Sequence, residues 1–352
     1  MKVLDGYSLE HLARLSDGRG LFEHAEGLLP REEHGYCTDD NARLLVVASR
    51  ESDIGIAHRL GRLALRFVLE AQSDDGRCRN RMDVAGRWTD APTTDDCWGR
   101  SLWGLGSAGV HHPNTNVRRW ALQGFNDGAH RRSPWRRAMA FAALGAADVL
   151  LFDPDHAVAR HLLGDALVVL ADSPTGERAP GEHWPDGYRP EAHWPWPEAR
   201  LSYANAAIAE AIIAAGAALG RDAEVERGLA LLGWLLELES RDGHLSVVGS
   251  AGRGPRDTGP QFDQQPIEVA ALADACWRAY SVTGDRSWTH GIELAGAWFR
   301  GDNDASLPMF DEHSSGGFDG LEPASVNRNE GAESTLAYVS TMQRLAAIGG
   351  LP

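Results

Sequence analysis

The sequence predicts an all-α protein: an (α/α)6 toroid of six helical hairpins in an inner and an outer ring, with short β-ribbons in the loops at one end. Three observations carry this. Six helix-length apolar segments open on polar, often acidic clusters, near Asp39, Asp95, Pro134, Glu198, Gln265 and Asn329. Five of the six are followed by a second helical segment, over 54–72, 114–129, 155–172, 221–239 and 287–300, and residues 8–15 at the other end of the chain can partner the last. The two sets also differ in composition. AMAFAALGAADVLL (138–151) and ANAAIAEAIIAAGAAL (204–219) are apolar nearly all round, as helices buried on both sides must be, whereas 54–72 and 221–239 keep charges on one face. A closed ring sets the starts of all inner helices at one end, where their polar clusters meet in one pit.

The loops agree with this order. Asp-Gly pairs, which favour tight turns, occur at Asp75-Gly76, Asp186-Gly187, Asp242-Gly243 and Asp319-Gly320. LEAQSDDGRC (69–78) and LELESRDGHL (236–245) are near copies, each ending an outer helix. The stretches after them, RCRNRMDVAGRW and HLSVVGSAG, suit short β-ribbons. Long loops at 73–94, 174–197, 241–264 and 301–328 all lie between an outer helix and the next inner one, and long loops are uncommon unless they work. That end of the ring is expected to be the functional one.

Bulk properties narrow the function. The hairpin pattern runs through all 352 residues without a linker, so one domain, 1–352, is expected. No apolar run approaches the ~20 residues of a membrane span. The start, MKVLDGYSLEHLARL, lacks a signal-peptide core, which reads as cytoplasmic. A net charge of -16 without a basic stripe argues against nucleic acid as a partner. Cys37, Cys78, Cys97 and Cys276 show no CxxC spacing and are expected to be free thiols. With no H-E-x-x-H, P-loop, G-x-G-x-x-G or G-x-S-x-G motif, and no metal-ligand spacing among the loop-side histidines, neither a metal nor a cofactor is expected.

The helix openings carry the candidate chemistry. The first reads G-Y-C-T-D-D-N-A-R (35–43) and the second T-T-D-D-C-W-G-R (93–100). Capping accounts for one acid in each pair but not for two. Arg43 lies four residues after Asp39, and Arg100 four after Asp96, so each can hold a carboxylate on its own helix face. The third opening, Ser133-Pro134-Trp135, has no acid and is expected to be structural. In the fourth, H-W-P-W-P-E-A-R-L-S-Y-A-N (193–205), proline marks a helix start and Glu198 sits at its dipole. The fifth, F-D-Q-Q-P-I-E (262–268), puts Gln264 and Glu268 on one face, and the sixth, N-R-N-E-G-A-E-S-T (327–335), does the same for Glu330 and Glu333. A salt-bridge network is the competing account of these acids.

Tryptophan is the second signal: 12 Trp against 9 Phe and 6 Tyr. Trp103, Trp120, Trp234, Trp277, Trp288 and Trp298 fall inside helices and read as core. Trp88, Trp98, Trp184, Trp194 and Trp196 fall in the long loops or just after them, where an indole face beside carboxylates, amides and arginines suits a sugar. Packing against Pro185, Pro195 and Pro197 is the alternative for the last two.

HGYCTDDNAR, WPEARLSYAN, FDQQPIE and NRNEGAEST resemble a bacterial toroid domain of the six-hairpin glycosidase-like superfamily, found with glycosyltransferases and in mannoside handling. The resemblance implies sugar chemistry in the central pit and a functional association with a glycosyltransferase. The consecutive aspartates are also similar to those of toroidal α-mannanases, which use an Asp-Asp pair as nucleophile and acid. The expectation is a glycoside hydrolase on a mannose-type oligosaccharide, working by two carboxylates. Asp96 is the favoured acid, because Asp95, Cys97 and Trp98 flank it. Asp40 is the favoured base or nucleophile, with Glu268 and Glu330 in reserve. Asp39, Asn41, Arg43, Asp95, Trp98, Arg100, Trp194, Trp196, Glu198, Gln264, Gln265, Asn329 and Glu333 are expected to bind the substrate. The alternatives are a non-catalytic sugar-binding accessory domain, and an epimerase or isomerase using two histidines among His183, His193 and His244.

Overall fold

The computed structural model describes residues 6–52, 55–171 and 194–351. In chain order its helices are α1 (Glu10–Arg14), α2 (Thr38–Ser49), α3 (Ile56–Ala71), α4 (Asp96–His111), α5 (Thr115–Gly128), α6 (Arg136–Phe152), α7 (Ala157–Ala171), α8 (Ala206–Leu219), α9 (Asp222–Leu238), α10 (Pro266–Thr283), α11 (Thr289–Phe299) and α12 (Ala332–Gly349). Each even-numbered helix packs on the next, and α12 packs on α2, which closes the inner ring. The odd-numbered helices lie outside: α3 on α2, α5 on α4, α7 on α6, α9 on α8 and α11 on α10. The short α1 lies on α12, supplying the sixth outer element.

Composition explains the two rings. In α8 every residue from Ala206 to Gly216 is buried, whereas α3 buries only a stripe that includes Leu60, Ala64, Phe67 and Val68. Small residues set the spacing within the inner ring. A Cβ at Gly106 would run into the backbone of Gly145 on α6, and one at Gly145 into the backbone of Leu102 on α4. Only glycine allows that approach.

The strands are two-residue antiparallel pairs in the loops ahead of inner helices: β1 (Ala25–Glu26) with β2 (Leu29–Pro30), β3 (Tyr36–Cys37) with β4 (Arg81–Met82), β5 (Ser240–Arg241) with β6 (His244–Leu245), and β7 (Gly320–Leu321) with β8 (Val326–Asn327). Between β5 and β6, Asp242 (φ 49°) and Gly243 (φ 89°) both take the left-handed conformation that matches strand twist, as the Asp-Gly pair predicts. Asp319-Gly320 is not a turn. Gly320 enters β7, and the Asp319 carboxylate accepts the Gly331 N–H at 2.9 Å and the Ser334 hydroxyl at 2.5 Å, fastening that ribbon to α12. RCRNRMDVAGRW does fold back on itself, with an antiparallel bridge between Met82 and Trp88 and the Asp83 N–H donating to Arg87 O at 3.0 Å, and its β4 also pairs with β3 of the preceding hairpin. Asp186-Gly187 lies outside the described residues.

One predicted helix start moves. The fourth inner helix begins at Ala206 rather than near Glu198. Leu201 exchanges both backbone hydrogen bonds with Arg253, at 2.7 and 3.0 Å, and Ala204 has φ 45°, so the chain turns helical only after Asn205.

Candidate active site

The starts of the inner helices meet, and charged side chains tie them together around the mouth of the ring. On α2 the Cys37 sulfur caps the helix, accepting the Asp40 N–H at 3.4 Å, and its S–H faces Asp40 Oδ2 at 3.1 Å. Arg43 reaches Asp40 Oδ1 through Nη1 at 2.6 Å and Glu333 of α12 through Nη2, also at 2.6 Å. Arg100 of α4 stands between Asp39 (3.9 Å) and Asp96 (3.5 Å). The Tyr203 hydroxyl donates to Asp96 Oδ2 at 2.8 Å. Arg137 of α6 holds Glu198 at 2.6 Å and the Asn205 side-chain oxygen at 2.9 Å. Glu268 of α10 accepts the Asn205 side-chain amide at 2.8 Å and the backbone N–H groups of Ala204 and Asn205. The contacts therefore involve all six inner hairpins.

Within this ring of charges a cavity of about 420 Å³ is lined by Asp95, Asp96, Trp135, Arg137, Glu198 and Tyr203, among others. Asp95 and Asp96 are alike there. Each has one oxygen engaged by an aromatic donor, Trp135 Nε1 to Asp95 at 2.9 Å and Tyr203 to Asp96. The Trp135 side chain is exposed, leaving an indole face beside two carboxylates.

The electrostatics separate the surrounding acids. Burial pushes Asp40 up to about 7, even with Arg43 beside it. Burial likewise raises Glu268 to about 7, against the hydrogen bonds from Asn205. Glu333 goes the other way: burial works to raise its carboxyl, but Arg43 and Arg100 outweigh it and hold the group below its ordinary range.

No protein-family model matches this chain, and no curated protein matches it by sequence. Solved structures do match it in shape. A sugar epimerase from a ruminal bacterium superposes with a TM-score of 0.69 at 13% identity, covering 99% of this chain and 97% of its own. Cellobiose 2-epimerase from Bacillus thermoamylovorans gives 0.66 at 12% identity, covering 99% and 97%. An α-1,6-mannanase from Salegentibacter sp., an inactive variant with two consecutive aspartates changed to asparagine and in complex with α-1,6-mannotriose, gives 0.63 at 12% identity, covering 97% of each chain. The chain shares the (α/α)6 toroid fold of these structures.

Across the toroid the residues singled out in the sequence have different fates. Asp39, Asp40, Arg43, Asp95, Asp96, Arg100, Glu198, Glu268 and Glu333 belong to the linked ring described above. The pairing differs from the i,i+4 expectation on α2, since Arg43 bonds Asp40 and leaves Asp39 to Arg100 of the next inner helix. Asn41 is locked in the core, donating to Cys37 O at 2.8 Å and accepting from Leu21 N at 3.0 Å. Gln264 is buried against Asp304 at 2.7 Å. Gln265 is the N-cap residue of α10, and its side chain bonds Asp263. Asn329 accepts the Gly27 N–H at 3.0 Å. Glu330 turns towards α1, taking the Ser314 hydroxyl at 2.6 Å with His11 at 3.6 Å, away from the Asp96 cavity.

Trp98, Trp194 and Trp196 do not offer their faces to a ligand. Trp98 is fully buried and donates to Gly128 O at 3.1 Å. Trp194 and Trp196 pack on Trp234 of α9, with ring centroids 5.1 and 6.0 Å apart. Both also donate to Glu198, one to its backbone oxygen at 2.9 Å and the other to its carboxylate at 3.3 Å, so they position that acid. Trp120, expected in the core, is 54% exposed, because α5 is an outer helix and this residue lies on its solvent side. His244 bonds Asp304 at 3.1 Å, while Trp184, His183 and His193 lie outside the described residues.

Sequence reasoning missed Trp135, Arg137 and Tyr203. The third opening was expected to be structural for want of an acid, yet Ser133-Pro134-Trp135-Arg136-Arg137 delivers an indole and a buried guanidinium to the cavity. The signal was present: two consecutive arginines at a helix start are unfavourable against the dipole unless anions face them.

Proposed function

We propose that this toroid is a glycoside hydrolase for a mannose-type oligosaccharide, with the consecutive aspartates Asp95 and Asp96 as its two carboxylates. The observation that carries the proposal is the cavity in which both aspartates, each steadied by one aromatic donor, stand beside the exposed Trp135 indole. Asp96 is hydrogen-bonded by Tyr203 and flanked by Arg100, which suits the anionic role of nucleophile or base. Asp95, held by the Trp135 indole, lies at the exposed rim, which suits a donor of the proton to the glycosidic oxygen. The sequence expectation assigned the acid role to Asp96 and the base or nucleophile role to Asp40; in this reading Asp96 takes the anionic role and Asp95 the acid. The Salegentibacter mannanase, whose inactive variant lacks two consecutive aspartates, supports the pairing by analogy of fold. Glu198 and Arg137 would bind hydroxyls opposite the pair. Asp40 and Glu268, buried and engaged by Arg43 and Asn205, would act as positioning residues. Glu268 in particular anchors Ala204 in its left-handed conformation and so aims Tyr203 at Asp96.

The experiment is product analysis of α-1,6-mannotriose and related manno-oligosaccharides incubated with the protein and with D95N and D96N. Shorter oligosaccharides formed by the parent and not by the variants support hydrolysis. Tight binding with no cleavage would favour an accessory role beside a glycosyltransferase. An epimer of the reducing sugar, without chain shortening, would favour the chemistry named for the ruminal and Bacillus proteins.

A further inference from the structure

The opposite mouth of the ring, where the inner helices end, holds a second cavity of about 840 Å³. Most charges there are paired. Asp274 takes Arg50 at 2.9 Å and Arg344 Nε at 2.6 Å, and Asp148 takes Arg278 at 2.9 Å. If the cluster served only to brace the ring, its polar groups should all be engaged in this way.

Three groups lining the cavity are engaged only in part. Glu210 is 4% exposed, and its carboxyl makes no hydrogen bond among the described residues; Arg278 Nε stands 3.6 Å from it. The Gln343 side-chain oxygen, on a residue 8% exposed, has no partner, although its amide nitrogen donates to Val47 O at 3.0 Å. Arg344 uses only Nε on Asp274, and its guanidinium lies over the Trp277 ring, 5.4 Å from the centroid, with both terminal nitrogens open among the described residues. A buried polar atom without a partner, as the Gln343 oxygen is here, costs about 1–3 kcal/mol, and with the Glu210 carboxyl and the Arg344 fork beside it the cavity calls for a ligand that both donates and accepts. An anion would satisfy the Arg344 fork but would meet Glu210. A polyol satisfies all three, and Trp277 and the exposed Phe152 give its C–H surface an apolar wall.

We propose that this far mouth is a second binding site, taking a neutral polyhydroxylated ligand of monosaccharide size through Glu210, Gln343 and Arg344. The site is independent of the hydrolase proposal, since none of these residues touches the Asp95–Asp96 cavity. Burial and the neighbouring Asp274 raise Glu210 to about 7, so near neutrality its carboxyl both donates and accepts.

The test is calorimetric titration of the full chain carrying D96N with mannose, with myo-inositol and with inorganic phosphate. Saturable binding of either polyol, weakened about tenfold by adding R344Q and similarly by E210Q, is the expected result; a tenfold change corresponds to about 1.4 kcal/mol. Thermal melting of each variant confirms folding, and E210Q keeps the test open if R344Q does not fold. No polyol binding to the D96N chain, affinity unaltered by both substitutions, or binding of phosphate in preference to the polyols each overturns the proposal. Its failure leaves the hydrolase assay untouched.

Discussion

The first and second inner helices begin with the same words and do different things. Each opens on an Asp-Asp pair with an arginine behind it, yet Asp40 is buried under Arg43 while Asp96 faces a cavity. The difference is one of helix frame. Cys37 is the N-cap of α2, so Asp39 and Asp40 are its second and third residues; Asp95 is itself the N-cap of α4, and Asp96 its first residue. A two-residue displacement, at about 100° per residue, turns the pair by roughly 200°. Strand β3 sets the earlier start of α2, since its pairing with β4 brings Asn80 against the backbone of Thr38. Pairing one loop with the next therefore decides which aspartates see the cavity.

The sharpest way to break this comparison is to neutralise one aspartate in each helix. D96N should lower kcat/KM on a manno-oligosaccharide by about 10²–10⁴-fold, the usual contribution of a positioned acid or base. D40N should cost less than about tenfold, because Asp40 acts through Arg43. Parallel kinetics on the two variants decide the matter, and a larger loss in D40N would reverse the assignment of the two helices.

Stability should rank them the other way. Arg43 is a buried cation shared by Asp40 and Glu333, and R43A leaves Asp40 enclosed without its partner. Breaking a buried pair from one side typically costs about 3–5 kcal/mol, which urea denaturation would register. The partly exposed Asp96 should contribute far less, so D96N should unfold near the parent midpoint.

The pH dependence of D40N sharpens the contrast further. Asp40 rises from 3.8 unfolded to about 7 folded, so between those values the native state holds a proton that the unfolded chain has lost. Stability from this group is present at low pH and declines as pH rises through that window. Asn at this position cannot lose a proton. The melting temperature of D40N relative to the parent should therefore climb between about pH 4 and about pH 7. A constant offset across that range would show that Asp40 does not titrate there.

The helices were legible because their cause is local. Apolar periodicity and all-round apolarity distinguish α3 from α8 in the sequence itself, and the end-to-end hairpin order implies the closed ring. The five acidic openings were legible for the same reason. What the sequence hid was set by contacts between hairpins. Trp194 and Trp196 look like loop indoles, but their faces are covered by Trp234 of α9. The start of α8 depends on Arg253 engaging Leu201, some fifty positions away in the chain. Glu330 is claimed by Ser314 and His11, neither of which its helix frame foretells. Arg137 stands at an opening that has no acid of its own, and its partners Glu198 and Asn205 come from the next hairpin, although a pit full of carboxylates needs buried cations to exist.

The smallest predicted effect concerns the aromatic donors that steady the second pair and are absent from the first. Asp40 is held by a thiol and a guanidinium, Asp95 by the Trp135 indole N–H. Trp135→Phe keeps an aromatic face for the sugar but deletes that N–H. Because Asp95 is exposed, water replaces the lost donor, and the change should approach the modest net worth of one hydrogen bond, about 0.5–1.5 kcal/mol, or a several-fold drop in kcat/KM. Trp135→Ala removes the face as well and should raise KM beyond the Phe variant while leaving the melting temperature close to that of the parent. Trp196→Ala, by contrast, empties a fully buried site and should destabilise by about 3–5 kcal/mol. If Trp135→Ala instead unfolded the protein and bound sugar normally where folded, Trp135 would be one more packing residue, and the Asp95–Asp96 cavity would lose its distinguishing wall.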